Sequence, residues 1–126
     1  MMRQSSILIV DDERPILNLL GAIFSHRYRC TMAESGQEAM ELLKADSFDL
    51  LISDLLMPGI SGIDLCQFVR GEFPQLPIVV ISGIVELRHQ VEAMQLGVFS
   101  CVPKPFNIPQ LVSIVGNALS RDVIAA

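Results

Sequence analysis

Leu50-Leu51-Ile52-Ser53-Asp54-Leu55-Leu56-Met57-Pro58-Gly59 is an apolar run that ends in a carboxylate and breaks at once into a Pro-Gly turn signal. Such a run reads as a buried strand delivering Asp54 to the carboxyl edge of a sheet. Three other apolar runs end in the same way. Ile7 to Val10 closes on Asp11-Asp12, Ile78 to Ile81 closes on Ser82, and Val98 to Val102 precedes Lys104. Carboxylates, a hydroxyl and an ammonium therefore collect at strand ends. Parallel α/β sheets hold their sites at that edge, and all of these groups suit phosphoryl chemistry.

Helical patterns fill the intervals. Ile16, Leu17, Leu20, Ile23 and Phe24 recur at helical spacing in a segment from about Glu13 to His26. Asp11 or Asp12 can cap it, with Pro15 tolerated in its first turn. Tyr28 to Ala33 is a weaker strand. Ser35 with Glu38 reads as a capping box before the stripe Ala39, Met40, Leu42 and Leu43. Ser61 begins a helix that Gly71 and Pro74 end. Val85 to Leu96 reads as a helix stopped by Gly97. Asn107 caps a last helix to about Ser120, with Pro109 in its first turn. Five strand-helix pairs alternate without a break, which predicts a doubly wound five-stranded parallel sheet with right-handed crossovers. The flavodoxin-like order 2-1-3-4-5 brings the ends of strands 1, 3, 4 and 5 to one crevice.

The chain reads as one domain over residues 1–126, with a core from about 6 to 120 and a tail, 121–126, that is fraying helix or the start of a linker. Hydrophobic residues make up 51% of it, enough for a sizeable core. The net charge of −5 argues against a nucleic-acid-binding surface. No run has the length of a membrane span, and the expected location is the cytoplasm. Cys30, Cys66 and Cys101 are dispersed and read as buried free thiols. His26 and His89 read as surface residues, and Met32, Met40, Met57 and Met94 as packing residues.

Three carboxylates gathered within ~5 Å repel by roughly 3 kcal/mol per pair at an effective dielectric near 20, so they stay ionised together only beside a cation. An all-oxygen donor set points to Mg²⁺, with Mn²⁺ as a substitute. Asp54 stands alone on the central strand and is the candidate nucleophile, since carboxylates attack phosphorus to give acyl phosphates. Lys104 supplies a point charge and Ser82 a hydroxyl to the transferring group.

From about Ser6 to Ser120 the chain resembles the receiver domain of two-component response regulators. Asp11-Asp12-Glu13, Asp54-x-x-Met57-Pro58-Gly59, Ser82-Gly83 and Lys104-Pro105-Phe106 carry the resemblance, in order and at strand ends. It implies a phosphorylation-controlled switch rather than an enzyme, with self-phosphoryl transfer and autodephosphorylation as its only chemistry. Asp54 resembles the phosphoacceptor. Asp12 resembles the direct metal ligand, Asp11 the ligand acting through water, and Leu56 the donor of a backbone carbonyl. Ser82 and Lys104 resemble the hydroxyl and lysine that follow the phosphoryl group, and Lys104-Pro105 resembles the family's cis peptide. The implied partners are a sensor histidine kinase or phosphotransfer protein, and a homodimer or output partner on the face spanning residues 85–119. The last helix adds to that expectation, because Leu111, Val112, Ile114, Val115 and Leu119 are more apolar surface than one buried stripe needs.

The chain departs from the family pattern at Cys101, where Tyr or Phe is usual. Phe99, two residues earlier on the expected strand, is the substitute to look for. At 82, Ser replaces Thr. The positions two after the phosphoacceptor and two after Ser82 are Leu56 and Ile84. Both are bulky and apolar, which implies a long-lived acyl phosphate. Two other readings compete. One is a phosphate-independent pseudo-receiver, which Cys101 supports. The other is a Mg²⁺-dependent phosphohydrolase, which usually has a second acid where this chain has Leu56.

Overall fold

The computed structural model describes residues 4–125, with side chains through Ser120. The elements in order are β1 (Ser6–Val10), α1 (Arg14–Phe24), β2 (Arg29–Ala33), α2 (Gly36–Ala45), β3 (Leu50–Asp54), α3 (Gly62–Glu72), β4 (Ile78–Ser82), α4 (Val85–Ala93), β5 (Ser100–Pro103) and α5 (Ile108–Ala125). The strands form one parallel sheet in the order β2-β1-β3-β4-β5, as the alternation predicts.

The strands are apolar throughout because helices cover both faces. Ile7, Ile9, Leu50, Ile52, Val79 and Ile81 pack with Leu17, Leu20 and Phe24 of α1 and Leu111, Val115 and Ala118 of α5. Leu8, Val10, Leu51, Ile78 and Val80 face the other way, onto Ala39 and Leu43 of α2, Leu65, Cys66 and Val69 of α3, and Val91 of α4. Each fully buried aliphatic side chain contributes about 1.5–3 kcal/mol, and a one-residue slip would exchange the two sets. The register is therefore firm. It pairs Val10 with Ser53, Asp54 with Ile81, and Ser82 with Pro103, which sets the four reactive strand ends side by side.

Several local details differ from the sequence expectations. At the start of α1 the N-cap is Glu13, and no side chain caps it. Asp11 instead accepts the Glu13 N–H at 2.8 Å, which turns its carboxylate toward the sheet edge. Ser35 does cap α2, accepting the Glu38 N–H at 3.1 Å, but the Glu38 carboxylate returns to the N–H of Glu34, not to that of Ser35. The complete capping box is at α3, between Ser61 and Asp64. That helix passes through Gly71 before it ends. Helix α4 stops at Ala93, short of Leu96, and the chain then reverses through Gln95 and Gly97, both at positive φ (53° and 67°). Asn107 caps α5 as expected, accepting the Gln110 N–H at 2.9 Å, and the helix continues to Ala125, beyond the predicted Ser120.

Strand β5 begins at Ser100, two residues later than expected, and this decides the Phe99 question. Phe99 packs with the α1–α5 core and Cys101 with the α2–α4 core. The two side chains lie on opposite faces, so Phe99 does not stand in for an aromatic residue at 101. On α5, Val112, Ile114 and Leu119 are partly buried against the sheet, which leaves less apolar surplus than the sequence suggests. Cys66 is buried, but Cys30 and Cys101 are only half-buried. His26 and His89 are exposed. Met32 is 44% exposed, not packed in the core, with its sulfur over Gly21.

Candidate functional site

The ends of β1, β3, β4 and β5 surround an open cavity of about 570 Å³ lined by Asp12, Asp54, Leu56, Ser82, Ile84 and Lys104 among others. Asp54 is the last residue of β3 and is 6% exposed. Its Oδ1 accepts the Leu55 N–H at 2.8 Å, which leaves Oδ2 facing Lys104 Nζ at 3.3 Å. Asp11 is buried, with Oδ2 3.1 Å from the same Nζ, and Asp12 is exposed beside it. One carboxylate oxygen from each of Asp11, Asp12 and Asp54 falls within 4.8 Å of the others. Lys104, delivered across the cis Lys104–Pro105 bond, reaches Glu13 Oε2 as well, at 3.5 Å. The structure thus brings together all five side chains singled out from the sequence, with Leu56, 60% exposed, at the cavity mouth.

The electrostatics are those of a crowded acidic site. Burial, and then the Asp11 charge, push the Asp54 carboxyl above its ordinary value against the pull of Lys104. Burial likewise pushes Asp11 up, opposed by the Glu13 N–H and Lys104. Burial acts against the Lys104 charge, yet Asp54 and Asp11 together outweigh it and hold this lysine above its usual value. One ammonium does not satisfy three acids, and an all-oxygen cluster with this excess charge fits a hard divalent cation.

A pH prediction follows from the raised carboxyls. A carboxyl raised in the folded state binds its proton more tightly than in the unfolded chain, so its ionisation weakens the fold at neutral pH. Without divalent metal, Asp54→Asn should therefore be more stable than the natural sequence at pH 7. The gap should close as pH falls through the raised Asp54 pKa toward 3.8, its ordinary value. Urea titrations in EDTA at both pH values check the sign.

Comparison with known proteins agrees with the geometry. Residues 7–116 match the family described as response regulator receiver domain. The chain belongs to this family. As a receiver domain it is similar to the DNA-binding transcriptional regulator NtrC of Escherichia coli K12, 34% identical over 121 residues. The match covers 95% of this chain and 26% of that protein, so the chain spans about a quarter of the length of that relative. The response regulator protein PilR of Pseudomonas aeruginosa is also 34% identical, over 94% of this chain and 27% of its own. A receiver domain from Clostridium thermocellum is 26% identical with a TM-score of 0.88, covering 97% of this chain and 99% of that one. The CheY-like receiver from Methanospirillum hungatei JF-1 superposes with a TM-score of 0.92 over 98% of this chain and 100% of that one, and at 22% identity shows the fold. Receiver domains are in general signalling domains rather than enzymes. No helix among the described residues is long and apolar enough to cross a membrane.

Sequence reading missed three parts of the site. Glu13 belongs to the quoted acidic motif but had no role, and it shares Lys104. Arg88 donates from Nη1 to the Ser82 carbonyl at 2.6 Å, a contact between α4 and a strand end with no local signal. Gly62 sits against the backbone of Asp54 and Leu55, and the small residue just inside the Ser61 cap was the only hint.

Proposed function

We propose that this receiver domain is a phosphorylation-controlled switch that takes a phosphoryl group on Asp54 from a histidine kinase or phosphotransfer protein. The observation that supports it most is the placing of Asp54 Oδ2, 3.3 Å from Lys104 and within the cluster of three carboxylates. Oδ2 attacks phosphorus in line, the donor's phosphorus–nitrogen bond breaks, and the proton remains with the departing imidazole. Asp11, Asp12, Asp54 and the Leu56 backbone carbonyl would hold Mg²⁺, Asp12 directly and Asp11 through water, with Mn²⁺ as a substitute. When bound, the ion would supply charge neutralisation for the transferring phosphoryl group. Lys104 turns from the carboxylates to the new phosphoryl oxygens, and Ser82 donates its hydroxyl to them.

The product carries extra charge at the end of β3, facing Ser82 at the end of β4, and α4, β5 and α5 respond. We assign the face spanning residues 85–119 to a second copy or an output partner, and the cytoplasm as the place of action. Residues 1–126 act as one receiver unit with its core at 6–120. The pseudo-receiver alternative rests on Cys101 alone, and the complete acidic set with Lys104 weighs against it. A hydrolase would need a second acid where Leu56 stands at the cavity mouth.

Labelling by a small acyl-phosphate donor should require Mg²⁺ and stop in EDTA. Asp12→Ala should lower Mg²⁺ affinity by roughly a hundredfold or more, beyond the ~10–100-fold typical of an outer-shell partner, and leave the fold intact. Isothermal titration would read this directly, and unchanged affinity would remove Asp12 from the metal site.

A further inference from the structure

Helix α4 is the most lightly held helix of the fold. Val91 is its only fully buried residue, and its N-cap, Ile84, supplies no side-chain hydrogen bond. Two arginines hold it instead, one at each end. At the front, Arg88 of α4 donates to the Ser82 carbonyl at 2.6 Å, and the same oxygen accepts the Lys104 N–H at 3.1 Å. At the rear, Arg70 of α3 donates through Nε to the Leu96 carbonyl, through Nη2 to Gly97 at 3.5 Å, and through Nη1 to Pro74 at 2.7 Å. The rear anchor thus ties the turn after α4 to its neighbour helix, while the front anchor ties α4 to the strand end that carries Ser82.

The front anchor stands in the way of the motion that the switch requires. The Ser82 Oγ accepts the Ile84 N–H at 3.1 Å, so the hydroxyl is engaged with its own loop. A hydroxyl can accept this N–H and still donate its own O–H, so as Ser82 moves to donate to a phosphoryl group on Asp54, residues 83–84 are drawn with it. The shift separates the Ser82 carbonyl from the Arg88 guanidinium or drags the start of α4 along. The Arg88 charge also acts on the Cys101 thiol, which burial and then Glu92 push up and Arg88 opposes.

We propose that Arg88 is a positioning residue that latches the β4–α4 segment in its unphosphorylated arrangement, with Arg70 as the fixed pivot at the far end of α4. The proposal rests on the switch reading above. A latch of this kind biases a two-state equilibrium toward the resting state, and one hydrogen bond at a half-buried position, its charge screened by nearby solvent, is worth roughly a three- to tenfold shift.

The test compares the natural protein with Arg88→Met, which keeps the apolar stem and loses the donors, and Arg88→Lys, which keeps one donor. In the metal-free protein, hydrogen exchange of amides 83–93 should quicken by roughly three- to tenfold in Arg88→Met and less in Arg88→Lys, with α3 and the sheet unchanged. With Mg²⁺, Arg88→Met should bind beryllofluoride roughly three- to tenfold more tightly. Unchanged exchange and affinity in Arg88→Met would overturn the latch, and so would faster exchange across the whole sheet. Should Arg88→Met fail to fold, Arg88→Lys gives the same decision at smaller amplitude. A natural protein that ignores beryllofluoride would instead contradict the switch itself, and the exchange measurement would still decide the latch.

Discussion

Phosphorylated protein carrying Leu56→Asn with Ile84→Glu should lose its phosphoryl group roughly ten- to a hundredfold faster than the natural sequence. Hydrolysis requires a water in line behind phosphorus. Leu56 and Ile84 flank Asp54 in the cavity, Leu56 at its open mouth and Ile84 half-buried. Neither side chain offers a hydrogen bond to that water, and both line the cavity it would have to enter. One lost positioning contact, at ~1.5–3 kcal/mol, gives the expected factor. The check is the decay of phosphorylated protein in Mg²⁺ buffer for both sequences, in one experiment. Equal rates, or slower loss from the double variant, would show that the lifetime is set by other groups.

Gly62→Ala should destabilise the domain by at least ~3 kcal/mol, the upper part of the usual range for overpacking. At an ordinary helix position, alanine in place of glycine would gain up to about 1 kcal/mol. Here the added Cβ would fall 2.0 Å from the Asp54 carbonyl oxygen and 2.5 Å from the Leu55 Cα. Both obstacles are backbone, so no side chain can swing aside. The approach is close because the loop after β3 returns at once, with the Gly62 N–H bonded to the Leu55 carbonyl at 3.0 Å. The Asp54 carbonyl also accepts the Ser53 hydroxyl at 2.8 Å, so the clash falls on the peptide that aims the acceptor. Melting should come on the order of 10 °C earlier, and labelling of Asp54 should fall with it. A melting temperature at or above that of the natural protein would contradict the packing described.

The sheet and the acidic site were legible in the sequence because each strand is a continuous apolar run with a reactive residue at its end. The order 2-1-3-4-5 followed from unbroken alternation, and it places Asp11, Asp12, Asp54, Ser82 and Lys104 together as observed. The details that escaped depend on where elements stop. Leu96 fits a helical stripe and so extends the expected α4, whereas the backbone turns at Gln95. Val98 and Phe99 have strand-like side chains, yet β5 begins only at Ser100. Its later start puts Phe99 and Cys101 on opposite faces and removes the suggested substitute aromatic. Contacts made by long side chains to distant backbone, such as Arg70 and Arg88, carry no periodic signal. The close approach at Gly62 exists only once β3 and α3 are docked.

The most direct test of the switch is to locate the phosphoryl group. The natural protein and Asp54→Asn are incubated with a small acyl-phosphate donor and Mg²⁺, and the adducts are mapped by mass spectrometry. The expected result is a single phosphorylated residue, Asp54, in the natural protein, with no label in Asp54→Asn or in EDTA. Label on another residue, label that survives Asp54→Asn, or label formed without divalent metal would contradict the function proposed for this site.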